Sequence, residues 1–337
     1  MLREKRIPSL DGLRALAILA VFFHHSLHMK LLWMGVDLFF VLSGFLITGV
    51  LLDAKVYRLG HFFARFYQRR VRRILAPYLV FLLIASLLVG VSWMRHWYFY
   101  ILLTNFLQPL RIPHPDSFDP LWSLAVEEQF YLIWPFAVYF LNPRNLKKLC
   151  IVLILFVPLL RGVLHFQQHW PIYELTPFRM DLLAVGGLLC LEWRERREQL
   201  EVWGAKLGLP LAGIGMVGLL LLGHFGYTTY GNTRIGNVCI YEACLMIATG
   251  LTLYALAGKR MGAWLGSRPL RYIGKISYSM YLIHMLVLGL VSPHLQGVVG
   301  ALVALGLTIG YATVSWYLLE NPLLKAGKTK QPLPYMA

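Results

Sequence analysis

The sequence predicts an all-α fold, a polytopic bundle of about ten transmembrane helices, on three observations. Of 337 residues, 58% are hydrophobic and 14% charged, with a mean hydropathy of +0.60; soluble chains run nearer half apolar and a quarter charged. The apolar residues fall in runs of the length a bilayer core demands, about 20 residues to cross roughly 30 Å. The basic residues sort to alternate loops.

Spans are expected at about 13–29, 36–52, 74–92, 121–141, 149–166, 178–193, 207–224, 238–257, 276–292 and 298–319. The first follows the basic stretch Arg3, Lys5 and Arg6. It is expected to be retained rather than cleaved as a signal peptide, because Arg14 interrupts its apolar run and His24, His25 and His28 stand where small residues would mark a cleavage site. The second follows a tight hairpin, and the third follows an arginine-rich loop that ends at Pro77. The stretch 97–110 is short and interrupted by Asn105, Gln108 and Pro109, so it is assigned to a re-entrant or interfacial piece. The seventh span holds Gly208, Gly213, Gly215 and Gly218, which allow close helix packing.

With the N-terminus inside, 25 of the 32 Lys and Arg lie in cytoplasmic loops, including seven from Lys55 to Arg73, five from Lys259 to Lys275, and Lys325, Lys328 and Lys330. The opposite loops hold four, Lys30, Arg95, Arg111 and Arg234, and Arg14, Arg161 and Arg179 lie within spans. Basic residues favour the cytoplasmic side of a membrane protein, so both termini are placed there. The net charge of +16 is therefore a topology signal rather than the footprint of a nucleic acid. The organisation expected is one membrane domain over 1–322 and a short cytoplasmic tail over 323–337. Four cysteines without paired-ligand spacing indicate neither a disulfide framework nor a zinc site, and no metal is expected.

Ionisable side chains inside spans are expensive and mark candidate functional sites. Arg14 and His25 are 11 residues apart, about 1100° of helix, which puts them on one face about 16 Å apart along the axis. His24 projects about 80° away from Arg14 by the same count. A histidine here can accept and return a proton near neutral pH, while a structural hydrogen-bonding role is the plainer alternative. Asp37 starts the second span near the level of His25, where it could orient or charge-stabilise the ring, pair with Lys30, or favour the helix start. Arg65, Arg69, Arg70, Arg72 and Arg73 exceed what topology requires; guanidinium forks suit phosphates, whether of a specific ligand or of lipid headgroups. Glu127 and Glu128 are neighbours and diverge by about 100° on a helix, so one is expected to face the interior and the other the interface. Arg161 with His165, Arg179 with Asp181, and Glu242 read more simply as satisfied structural groups. No nucleophile elbow, phosphate loop or dinucleotide loop is present.

Several of these segments, in order, resemble the acyltransferase-3 family of integral membrane O-acyltransferases. They are Asp11-Gly-Leu-Arg14 with His25, Phe39 to Gly44 and onward, Arg69 to Arg73 before Pro77, Trp122-Ser-Leu-Ala-Val-Glu127-Glu128, Ser277 to His284, and Glu320-Asn-Pro322. The resemblance covers essentially the whole chain; Asn321 departs from the basic residue often found there. It implies transfer of an acyl group, usually acetyl, from cytoplasmic acetyl-CoA to a hydroxyl of a carbohydrate or lipid-linked acceptor at a bacterial inner membrane. Acyl-CoA enters as co-substrate, with no permanently bound cofactor; membrane lipids complete the set of partners.

By the same resemblance, Arg69, Arg70, Arg72 and Arg73 hold the CoA phosphates with Arg14 at the groove's mouth. His25 acts as general base or transient acyl carrier, and Asp37 and Glu128 assist it. Trp122, Ser123, Glu127 and His284 are assigned to the acceptor. Because the chain ends about 18 residues beyond the last span, the bundle alone or a separate partner is expected to complete acceptor transfer. Two other classes compete. A transporter or flippase for the glycan or its carrier would show repeat symmetry between halves, and none is found. A non-catalytic scaffold leaves His25, Asp37 and Glu128 unexplained.

Overall fold

A computed structural model describes residues 7–90, 96–164, 166–257 and 262–329, with side chains to residue 326. Of the residues named above, Arg3, Lys5, Arg6, Arg95, His165, Lys259 and Lys330 lie outside the described residues, as does the side chain of Lys328.

Among the described residues every regular element is helical: α1 (Pro8–Leu27), α2 (Gly35–Ala54), α3 (Leu59–Arg70), α4 (Ala76–Val89), α5 (Leu121–Phe140), α6 (Pro143–Val163), α7 (Trp170–Glu174), α8 (Met180–Glu195), α9 (Arg197–His224), α10 (Arg234–Leu256), α11 (Arg268–Val291), α12 (Gly297–Ser315) and α13 (Asn321–Thr329). Each of the ten expected spans falls on one of these helices. Among the described residues, seven helical stretches are long and apolar enough to cross a membrane, which makes this a multi-pass architecture. The helices α5, α6 and α8 are not among the seven. Glu127, Glu128 and Pro135 interrupt α5, and α8 has only 16 residues, about 24 Å of helix. Eleven of those sixteen residues are buried, so α8 is packed in protein, against α2 and α6, more than exposed to lipid.

The pattern of exposure suits hydrocarbon. Leu83, Leu87 and Leu88 on α4, Leu155 and Leu159 on α6, and Val298, Val299 and Leu302 on α12 are all more than half exposed. Such a surface in water would be an aggregation liability. The stretch 97–110 forms only the 3-10 turns Trp97–Phe99 and Thr104–Phe106, no helix able to cross.

α2 is the centre of the bundle, buried along most of its length and packed on α1, α5, α8 and α10. Glycines set its closest approach: a Cβ on Gly44 would fall on the carbonyl of Leu183, and one on Gly186 on that of Val41. In α9, Gly208 and Gly215 likewise face α10 backbone, but Gly213 faces open space and Gly218 makes no close approach. The close-packing reading thus holds for two of the four, because α9 lies at the rim and only one of its faces meets a helix.

Among the described residues two π-helical turns interrupt the bundle, Val71–Leu75 between α3 and α4 and Trp316–Glu320 between α12 and α13. The amide of Ala76 bonds the Val71 carbonyl, and that of Asn321 the Trp316 carbonyl, each five residues back. Proline follows both, at Pro77 and Pro322. A proline ring lacks the N–H and clashes with the carbonyl four residues before it, and a widened turn relieves that clash. Such bulges recur at functional sites, and these two pack against each other's helices.

Candidate functional site

A cavity with about 730 Å³ of empty space, its open mouth included, lies between α1, α2, the Val71–Leu75 turn, α5 and α11. Arg14, Arg70 and Arg73 line it, against a single carboxylate, Glu127. Three guanidinium forks facing one carboxylate favour a polyanionic guest, and the planar fork matches phosphate oxygens in pairs. Arg14 donates from Nη2 to the Ser277 hydroxyl (3.2 Å) and lies 5.7 Å from the centroid of Phe39; its Nε has no partner. Arg70 sits over Tyr131, 4.4 Å from the ring centroid. Glu127 accepts from the Ser43 hydroxyl (2.6 Å) and the Tyr131 hydroxyl (3.2 Å).

Of the four arginines expected to bind phosphates, Arg70 and Arg73 reach the cavity, while Arg69 and Arg72 are not part of its wall. Residues three apart share a helix face, and their immediate neighbours point elsewhere. The acidic pair divides in the same way. Glu127 faces the cavity, whereas Glu128 is outside the lining and its Oε1 is buried without a hydrogen-bond partner.

The shared face expected of Arg14 and His25 is the one that packs on α11. Arg14 meets Ser277, and His25 meets His284, whose Nε2 is 3.3 Å from the His25 Nδ1. That same His25 Nδ1 is 2.9 Å from the Val21 carbonyl, and His284 Nδ1 is 2.7 Å from the Tyr281 carbonyl. Tyr281 stands between this pair and the arginine cavity: its ring lines the cavity and lies 5.5 Å from His284. Its hydroxyl donates to the Pro120 carbonyl (2.7 Å) and meets Ser123 Oγ at 2.6 Å. Ser123 thus lines the cavity, and His284 is fully buried beside His25.

Asp37 and Trp122 are placed otherwise than their assigned roles suggest. Asp37 forms no hydrogen bond with His25; it pairs with Arg179, both side chains fully buried. Trp122 covers that pair. It packs 4.8 Å from Tyr173 and 5.9 Å from Phe40, with the Arg179 guanidinium 5.7 Å from its centroid. Arg161 pairs with both Asp181 and Glu242, which joins three of the structural groups read from the sequence into one network.

The segment 104–119 packs on α5 and α11 through its 3-10 turns. His114 Nε2 is 2.7 Å from Asp119, its Nδ1 is 2.7 Å from the Ile112 carbonyl, and Gln108 donates to the same Asp119 oxygen (3.2 Å). Burial works against a charge on His114, but the Asp119 carboxylate and the Ile112 carbonyl outweigh it and raise its pKa. Burial, then the charge of Asp119, pushes the Glu174 carboxyl up to about 9. Sequence reasoning missed Tyr281, Ser277 and Ser43 as site residues and missed the Arg179 partner of Asp37. The spacing of Ser277, Tyr281 and His284, four and three residues, marks one face of α11 and was the available signal.

Residues 7–320 match the model of a family described as an acyltransferase domain. Among curated proteins the chain is similar to the peptidoglycan O-acetyltransferase OatA of Listeria monocytogenes, 29% identical over 96% of this chain and 57% of that protein. It is also similar to the O-acetyltransferase OatA of Staphylococcus aureus, 28% identical over 97% of this chain and 58% of that protein. The chain thus spans less than three fifths of the length of these relatives. No solved structure matches it.

Proposed function

This chain belongs to the acyltransferase-domain family, and from that premise we propose that it is a membrane O-acetyltransferase that carries acetyl from cytoplasmic acetyl-CoA to a hydroxyl of a glycan or lipid-linked saccharide. The observation that carries the reading is the pairing, along α1 and α11, of a three-arginine cavity with a histidine pair. The names of the relatives point to peptidoglycan as the acceptor class. In this reading the bundle crosses a bacterial cytoplasmic membrane ten times, with both termini, the tail 323–337 and the arginine cavity on the cytoplasmic side, in keeping with 25 basic loop residues against four.

Arg70, Arg73 and Arg14 hold the CoA phosphates, and the pantetheine arm runs along α1 toward His25. Arg14 and His25 are about 16 Å apart along the helix axis, a span suited to that extended arm. His25 takes the proton of the acceptor hydroxyl as its oxygen attacks the thioester carbon. The C–O bond forms, the C–S bond breaks, and the CoA thiolate leaves with the proton that His25 returns. Transient transfer of acetyl to His25 itself, with the acceptor attacking second, gives the same balance. Ser43, Ser123 and Glu127 are hydrogen-bonding groups of the cavity wall.

The test uses purified protein in liposomes with labelled acetyl-CoA and soluble peptidoglycan fragments. Wild type is expected to release CoA and label the fragments, and His25→Ala to lose transfer while still binding CoA. Wild-type turnover in His25→Ala would overturn the mechanism. Mass spectra of cell-wall glycans from a strain with and without the gene name the acceptor by one acetyl unit.

A further inference from the structure

Resting on that reading, we propose that His284 is a positioning residue for His25, acting with the Val21 carbonyl to hold its ring in the Nδ1–H tautomer so that the bare Nε2 is the atom that receives the acceptor's proton.

The assignment follows from which partners can only accept. A backbone carbonyl has no proton to give, so a ring nitrogen at hydrogen-bond distance from one must carry the hydrogen. His284 Nδ1 is 2.7 Å from the Tyr281 carbonyl and therefore bears its N–H. In the neutral ring, Nε2 then holds a lone pair, and it lies 3.3 Å from His25 Nδ1. His25 Nδ1 is also 2.9 Å from the Val21 carbonyl. The one His25 nitrogen thus faces two acceptors, a carbonyl oxygen and an imidazole lone pair, and a hydrogen on it satisfies both.

The other tautomer of His25 would set a third lone pair against those two. The hydrogen bond at one ring nitrogen decides the state of the other, so Nε2 is left unprotonated, as a general base requires. When Nε2 takes a proton in turnover, the Nδ1–H keeps both acceptors, and the resulting imidazolium is better solvated than by the Val21 carbonyl alone. His284 can serve this way because it is fully buried and its anchor is a backbone carbonyl of its own helix. Tyr281, which supplies the carbonyl, is itself pinned through its hydroxyl to Pro120 and Ser123 at the start of α5. This moves His284 from the acceptor-binding set to the support of the base.

Two variants and one spectrum test the assignment. His284→Leu removes the acceptor with similar bulk; His284→Gln keeps an amide oxygen that can reach the same N–H. With acetyl-CoA and peptidoglycan fragments, kcat of His284→Leu is expected at least about tenfold below wild type, within the range that general acid–base catalysis supplies. KM for acetyl-CoA is expected to stay within about twofold, because the arginine cavity is untouched, and His284→Gln is expected to recover most of kcat. In nitrogen-15 spectra of histidine-labelled wild type, His25 is expected to show a protonated Nδ1 and a bare Nε2, with the Nε2–H form rising in His284→Leu. A wild-type spectrum with Nε2–H on His25, or a leucine variant with unchanged kcat and tautomer, overturns the proposal. If wild type moves no acetyl at all, it is the reading of the function that fails, and the wild-type spectrum still decides the tautomer.

Discussion

Asp37 on α2 and Arg179, the residue before α8, form an ion pair with no exposed surface on either side chain. The rings of Phe40, Trp122, Tyr173 and Tyr241 surround the guanidinium, each centroid within 5.7 Å of it. Removing one partner of such a pair strands a buried charge, which costs about 3–5 kcal/mol, whereas replacing both by apolar groups can be neutral. Asp37→Ala is therefore expected to lower the unfolding temperature in detergent markedly, and Asp37→Ala with Arg179→Met to recover most of it. Specific activity per folded molecule should survive in the double variant. An Asp37→Ala protein of normal stability that makes no product would instead place Asp37 in the chemistry.

Arg70 and Arg73 line the cavity while Arg69 and Arg72 do not, so the four should separate in function. Hydrogen bonds to charged groups contribute about 1.5–3 kcal/mol, and each 1.4 kcal/mol is about tenfold in affinity. Arg73→Ala or Arg70→Ala is expected to weaken acetyl-CoA binding roughly tenfold or more, and Arg72→Ala less than about threefold. Calorimetric titration with CoA decides it, and equal losses at all four positions would remove the cavity from the donor role.

The segments 104–119 and 170–176 should loosen as pH rises. His114 has its pKa raised from 6.5, so the stability its charge contributes is full below 6.5 and is lost as pH passes its folded value. Glu174 is raised from 4.5 to about 9, so the folded state holds that proton more tightly and loses the advantage as pH climbs between those values. Both act in one direction. Opening free energies from hydrogen exchange, corrected for intrinsic rates, are expected to be smaller near pH 8.5 than near pH 6, and Glu174→Gln should flatten the slope. A pH-independent opening energy would show that neither group is coupled to these segments.

Gly44 has the carbonyl of Leu183 where a Cβ would go, and Gly213 has open space. Gly44→Ala is expected to destabilise the protein by about 1–3 kcal/mol, as overpacking does, and to slow turnover, since α2 forms one wall of the cavity. Gly213→Ala should be neutral or stabilise by up to about 1 kcal/mol through helix propensity. Thermal unfolding of the two variants side by side gives the comparison.

The helical architecture and the shared face of α1 were legible in the sequence. Run length alone placed every span on a helix, and helical periodicity alone put Arg14 and His25 on one face, the face that packs on α11. Both depend on spacing within one segment, which the helix geometry dictates locally. The same periodicity parts Glu127 from Glu128 without saying which meets the cavity, and Glu128 keeps a buried Oε1 instead of the interfacial place expected for one of the two.

Only packing between distant segments could answer such questions. That Glu127 rather than Glu128 meets the cavity depends on how α5 is rotated against α2, where Ser43 reaches the Glu127 carboxylate. That Asp37 belongs to Arg179, 142 positions away, and His25 to His284, 259 away, depends on which helices lie side by side. The π turns before Pro77 and Pro322 add a further reason. An extra residue in a turn shifts the face of everything downstream by about 100°, so a count of residues carried from α3 into α4, or from α12 into α13, loses the face.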